Sequence, residues 1–177
     1  RIVSVVGLQV LRRIVDEAAL VGIVNWSLLG GVPGIWRGLL RDVLGSVSAG
    51  IRRVFIDLSD PAKRIDADIR EAMGLLGDLD RAGLRVMLGL NLAESQRIAA
   101  VVGAGEVPSG ASLEQLSGVA GRIRARMGVE CVVIHPRHGA AAATDHETAW
   151  IDGPFTSRPR LSTGAGDHFN AGFALGR

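Results

Sequence analysis

The sequence predicts an α/β protein, a mostly parallel sheet with helices packed on both faces. Apolar runs of strand length such as 84–90 and 129–135 show no polar alternation, the pattern of strands buried on two sides. Between them lie stretches whose apolar residues recur three and four positions apart, the spacing of one helix face. Strand–helix alternation of this kind implies right-handed crossovers between parallel strands.

The elements follow in order. Leu8 to Ala19 reads as a helix and Leu20 to Asn25 as the first strand. Ile35, Trp36, Leu39, Leu40, Val43 and Leu44 form a helical stripe, with Pro33 near its start and Arg37 and Arg41 off the apolar face. Val54 to Asp57 is the next strand, and Ile69, Met73, Leu76 and Leu79 stripe the next helix. The strand Leu84 to Leu90 leads into an amphipathic segment reaching Val102. Leu113, Leu116, Val119, Ala120, Ile123 and Met127 mark another helix, before the strand Val129 to His135. After Gly139 the pattern changes to a hairpin, Ala140–Ala143 and Thr148–Ile151, turning around Asp145-His146. Ligands of such sheets bind at the carboxyl ends of the strands. Asn25, Asp57, Asn91 and His135 all fall at or near strand ends, on one rim.

Residues 162–173 carry the most chemistry. The glycine-rich turn Ser162-Thr163-Gly164-Ala165-Gly166-Asp167 runs into a helix face defined by Phe169 and Phe173. Unpaired N–H groups and the positive dipole end at a helix start favour an anion. Gly164 and Gly166 lack a Cβ that would hold a phosphate away from the backbone. Asp167 at that spot could take a proton from a hydroxyl while the amides hold charge on a transferred phosphoryl group. A plain capping turn, with Asp167 stabilising the first helical turn, is the alternative. Upstream, Asn91-Leu92-Ala93-Glu94 opens a helix after a strand. It reads as a capping box with Asn at the cap and Glu three positions on.

The turn resembles the second signature of the ribokinase-like (PfkB) carbohydrate kinases, Asp-Thr-x-Gly-Ala-Gly-Asp-x-Phe-x-x-Gly-Phe, matching from Thr163 through Phe173. The resemblance implies Asp167 as catalytic base, with Gly164, Ala165 and Gly166 as the anion hole and Thr163 beside the nucleotide. Family members carry Asn-x-x-Glu after a strand upstream of this turn. Asn91 and Glu94 would thus organise magnesium and its waters around ATP, a role that coexists with capping and suits magnesium's oxygen preference. Relatives also place a Gly-x-x-Gly turn near the nucleotide at His135-Pro136-Arg137-His138-Gly139. Here Pro136 replaces the first glycine, leaving His135 and Gly139 as nucleotide contacts. Two histidines without a third ligand do not make a zinc site. Asp57 and Arg64 resemble a substrate-facing Asp and Arg, though with different spacing, and Asp60-Pro61 also reads as a helix start. Leu161 stands where the family has its first Asp, which removes a carboxylate from the monovalent-cation site some members build there.

Residues 1–177 are expected to form a single partial ribokinase-like α/β domain, lacking the N-terminal strands, the lid and the C-terminal end of that fold. The expected activity is γ-phosphoryl transfer from magnesium–ATP to a hydroxymethyl group of a sugar or sugar-like small molecule. A homodimer would form through the missing lid. The rival readings are a non-catalytic nucleotide- or sugar-binding relative, an inactive fragment, and a dinucleotide enzyme. The last would need a G-x-G-x-x-G turn, which Leu29-Gly30-Gly31-Val32-Pro33-Gly34 does not match.

Composition supports a folded enzyme domain. Hydrophobic residues make up 47% and charged residues 21%, with a net charge of +2. Lys63 is the only lysine among 20 basic side chains, and no basic stripe with interleaved aromatics suggests nucleic acid. Cys131 is the only cysteine, so no disulfide forms within the chain. No apolar run has membrane-spanning length and nothing resembles a signal peptide, so the cytoplasm is the expected location and no membrane partner is expected.

Overall fold

The computed structural model describes residues 2–46, 52–161 and 163–176. Among them, seven helices and six strands follow in chain order: α1 (Ile2–Val6), α2 (Leu8–Glu17), β1 (Leu20–Ile23), α3 (Val32–Gly38), β2 (Arg52–Asp57), α4 (Asp66–Arg81), β3 (Leu84–Leu90), α5 (Leu92–Val102), α6 (Leu113–Met127), β4 (Cys131–Ile134), β5 (Gly139–Ala143), β6 (Thr148–Asp152) and α7 (Ala165–Gly176). The strands lie side by side in sequence order. β1 to β4 run parallel, while β5 and β6 join antiparallel as the expected hairpin. Thr144 closes that hairpin, its Oγ1 accepting from the backbone N–H of His146 and Glu147.

The strict period of a strand divides the core in two. One face presents Val54, Ile56, Val86, Leu88, Leu90, Val132 and Ile134 to α4, α5 and α6, in a cluster with Ile69, Leu76, Leu79, Ile98, Leu116 and Ile123. Burial of each such side chain contributes about 1.5–3 kcal/mol. The other face is smaller: Phe55, Met87, Cys131 and Val133 pack against Phe169, Phe173 and Ala174 of α7. The expected cover on both faces is therefore uneven, three long helices on one side and α7 on the other.

Two helix starts carry full capping boxes. Ser112 and Gln115 exchange side-chain-to-backbone bonds at α6, as do Asn91 and Glu94 at α5. The stripe from Ile35 to Leu44 does not form one α-helix. α3 ends at Gly38, and Leu39–Val43 opens into a wider π-type turn. Arg12 Nε donates to the Asp42 carbonyl at 2.9 Å, which engages a backbone acceptor at the end of that turn. No helix among the described residues is long and apolar enough to cross a membrane.

Candidate active site

The parallel strands β1 to β4 end on one rim, and the chain there is shaped by local rather than regular structure. Asn25 and Ser59 both adopt left-handed backbone (φ 63° and 67°), uncommon for residues with a side chain. Asp57 ends β2 half-buried; its Oδ1 accepts from Ser59 N at 2.6 Å, fixing the sharp exit from the strand. Asp60 caps the short 3₁₀ turn Pro61–Lys63 by accepting from Ala62 N at 3.2 Å. Asp60-Pro61 thus starts a helical turn, and α4 follows it.

At the end of β3, Asn91 and Glu94 are held by each other. Asn91 N donates to Glu94 Oε2 at 2.8 Å, and Glu94 N donates to Asn91 Oδ1 at 2.9 Å. A cavity of about 150 Å³ opens beside them, lined also by Ser59, Asp60 and Arg97. Burial, together with the negative charges of Asp57 and Asp60, pushes the Glu94 carboxyl up to about 7, although the bond from Asn91 N pulls the other way. A half-buried carboxylate in a negative field, with Glu94 Oε1 outside the capping box and room for water, fits a hydrated divalent cation.

His135, directly after β4, donates its N–H to the Leu90 carbonyl at 2.8 Å and stacks its ring on Phe169 at 4.4 Å between centroids. Burial lowers its pKa, opposed by the Asp57 charge. Gly139 has a packing reason to be glycine: a Cβ there would run into the Ile151 carbonyl and lie 2.6 Å from Leu113 Cδ1. Arg64 turns inward. Its Nε donates to the Ser27 carbonyl at 3.0 Å, and its guanidinium lies 5.5 Å over the Trp26 ring.

The glycine turn starts α7 as its sequence implies. Gly164 has φ +86°, a conformation that favours glycine, and Ala165 begins the helix. Thr163 and Asp167 are exposed, with Asp167 in the first helical turn; Ser162 lies outside the described residues. His168 folds back, Nδ1 resting 2.8 Å from the Gly164 carbonyl.

Two contacts seat this helix against the rim. One is the Phe169–His135 stack. The other is Asn170, whose Nδ2 donates to Asp57 Oδ2 at 2.5 Å. The glycine turn, Asp57 and His135 are thereby joined, and Asn91–Glu94 ends the strand between those two residues. Arg64 stands apart from these residues, bound to the carbonyls of Trp26 and Ser27 and lining a separate cavity with Gly30, Gly31 and Arg37. Asn170, His168 and the role of Phe169 were not evident from the motif. The available signal was an amide next to Phe169 on the face α7 buries.

The chain is 30% identical over 172 residues to a ketohexokinase of Haloferax volcanii, covering 97% of this chain and 44% of that protein. It therefore spans less than half the length of that curated relative. Its fold is similar to adenosine kinase from Sinorhizobium meliloti, with a TM-score of 0.58 and 16% identity over 93% of this chain and 44% of the other. A putative ribokinase II from E. coli gives a TM-score of 0.58 at 17% identity, covering 97% and 50%. These structures show a ribokinase-like fold. A family model described as prokaryotic ketohexokinase matches residues 1–177, and the chain belongs to that family.

Proposed function

We propose that the protein carrying this chain is an ATP-dependent kinase that phosphorylates a hydroxymethyl group of a sugar, with ketohexoses the first class to test. The name of the Haloferax relative supports that substrate class. One observation carries the reading: an exposed aspartate in the first turn of a helix that follows a positive-φ glycine, on a helix docked to the strand-end rim through Asp57 and His135. In this reading Asp167 accepts the substrate hydroxyl proton as its oxygen attacks the γ-phosphorus. The amides of Gly164, Ala165 and Gly166 hold the developing negative charge. Thr163, His135 and Gly139 border the nucleotide, and Asp57 faces the substrate end of the rim. Asn91 and Glu94 would hold magnesium through water, and the metal when bound neutralises phosphate charge. Arg64 acts on the site indirectly, by tying the chain after β2 to the Trp26 turn.

Magnesium-dependent ADP release by the intact protein over a panel of ketohexoses, other sugars and nucleosides tests this directly. Turnover should appear on a sugar and fall about 10²–10⁴-fold in Asp167→Asn, the range for loss of a general base. ATP binding without turnover on any substrate would replace the kinase reading with a non-catalytic binding protein. Pro136 in the nucleotide turn and exposed Leu161 before the glycines are the features that favour that rival.

A further inference from the structure

α7 lays Phe169, Asn170, Phe173 and Ala174 against the sheet, and three of these four are apolar. Asn170 is the most buried of them, at 8% exposure. Its Nδ2 donates to Asp57, while its Oδ1 is buried without a partner among the described residues. That oxygen faces β3, where a Cβ added to Gly89 would lie 3.2 Å from it and 2.6 Å from Phe55 Cζ. A glycine at 89 therefore makes the space that the amide and the Phe55 ring occupy. An amide with one unmet acceptor in an apolar seam is a poor choice for stability, since leaving a buried polar atom unpaired is unfavourable. A Leu of similar size would fill the same seam without an unmet acceptor, giving up only the bond to Asp57, whose half-buried carboxylate can be hydrated instead.

The bond nevertheless joins residues 113 positions apart, and it does so at the rim. Asp57 is immobilised from both sides, by Ser59 N on one oxygen and by Asn170 on the other. Asn170 lies one helical turn beyond Asp167, so whatever fixes Asn170 along the helix axis fixes the start of α7 as well. The kinase signature leaves this position open, which separates Asn170 from the residues the motif itself assigns.

We propose that Asn170 is a positioning residue: its bond to Asp57 sets the height and rotation of α7 over the rim, and thereby the placement of Asp167. This deepens the kinase reading and rests on it. Misplacing a catalytic group by about an ångström costs on the order of 10²-fold in rate.

The test uses the intact protein with Asn170→Leu and Asn170→Ser. We expect kcat to fall about 10- to 100-fold in both, with KM for ATP within twofold and the melting temperature of Asn170→Leu equal to or above that of the parent. A purely structural amide predicts the reverse, activity lost only as stability is lost. Unchanged kcat in Asn170→Ser, or a kcat loss matched by a falling melting temperature, overturns the proposal. Hydrogen exchange at the amides of residues 168–173, the first to bond back along α7, gives a readout independent of turnover. It should accelerate at least tenfold in Asn170→Leu at unchanged global stability, and unchanged exchange would overturn the proposal even in an active enzyme. If Asp167→Asn retains normal activity, the kinase reading fails while the exchange result still decides whether Asn170 fixes the helix.

Discussion

Glu94 has two tasks that both favour its ionised form, in surroundings that favour the proton. As the third helical residue of α5 it accepts from Asn91 N in the capping box, and in the proposed magnesium site it would be ionised. Burial and the charges of Asp57 and Asp60 raise its pKa from 4.5 to about 7. Between those two values the folded chain holds a proton that the unfolded chain releases. The resulting stability is fully present below about 4.5 and is lost as pH rises through about 7. In the proposed site magnesium would displace that proton, so its binding at pH 6.5 should release about three-quarters of a proton and weaken further on acidification. Calorimetric titration of magnesium with ATP in two buffers of different ionisation enthalpy reads this directly. Glu94→Gln keeps an oxygen for the capping bond, so its melting temperature should stay near the parent's while the proton release disappears. Equal release in parent and variant would remove Glu94 from the metal site.

Asp80 does for the far ends of the strands what Asn170 does for the rim. It sits near the end of α4, and its Oδ2 accepts from Val86 N at 3.0 Å and Glu130 N at 2.7 Å, so one carboxylate oxygen joins α4 to β3 and to the chain entering β4. Burial raises its pKa against those two bonds, and the nearby Glu130 charge adds to the rise. The charged form is thus less favoured than in the unfolded chain, and the stability from holding the proton is lost as pH rises through the folded-state titration. Asp80→Asn preserves an oxygen for both N–H groups and should change stability little near neutrality. Asp80→Ala leaves two N–H groups unpaired and should cost about 2–6 kcal/mol, at roughly 1–3 kcal/mol for each partly buried group. Chemical denaturation of both variants separates the two cases. Elements of this kind divide what the sequence discloses from what it hides. The stripes of α4 and α6, the Asn91–Glu94 capping box and the Asp145-His146 hairpin are legible because their signals lie within a few residues. The break of the Ile35–Leu44 stripe depends on Arg12 arriving from α2. The need for glycine at 139 depends on Leu113 and Ile151. Asn170 depends on Asp57, at the end of a strand far upstream. Each is a tertiary fact, and the glycine motif located the site without revealing how the site is held.

At the scale of the whole molecule, stability is distributed unevenly, and the core cluster shows where. β2, β3 and β4 are flanked on both edges by strands, and α4, α5 and α6 cover their larger face with side chains that are almost wholly buried. By contrast α1 and α2 bury no residue. They lean on each other and on the Leu39–Val43 turn, with Val5 77% and Ile14 52% exposed. β6 is exposed along its whole length, and β1 is the opposite edge of the described sheet. Local opening draws on the regions with the fewest buried apolar contacts, so amide exchange should follow this gradient. In the 177-residue chain alone, α1, α2 and β6 should exchange within seconds to minutes, while β3, β4 and α6 exchange only by global unfolding. The chain covers 44% of the Haloferax relative, and the same amides can be followed in the chain alone and within any longer polypeptide that carries it. If the exposed apolar faces of α1 and α2 are covered by the remainder of the polypeptide, their exchange should slow by at least an order of magnitude there, with the β3–β4–α6 amides remaining the slowest. Fast exchange at α1 and α2 in both would mean that these helices stay peripheral in the complete molecule, and that the rim, its docked helix and the α4–α6 layer form the cooperative unit on their own.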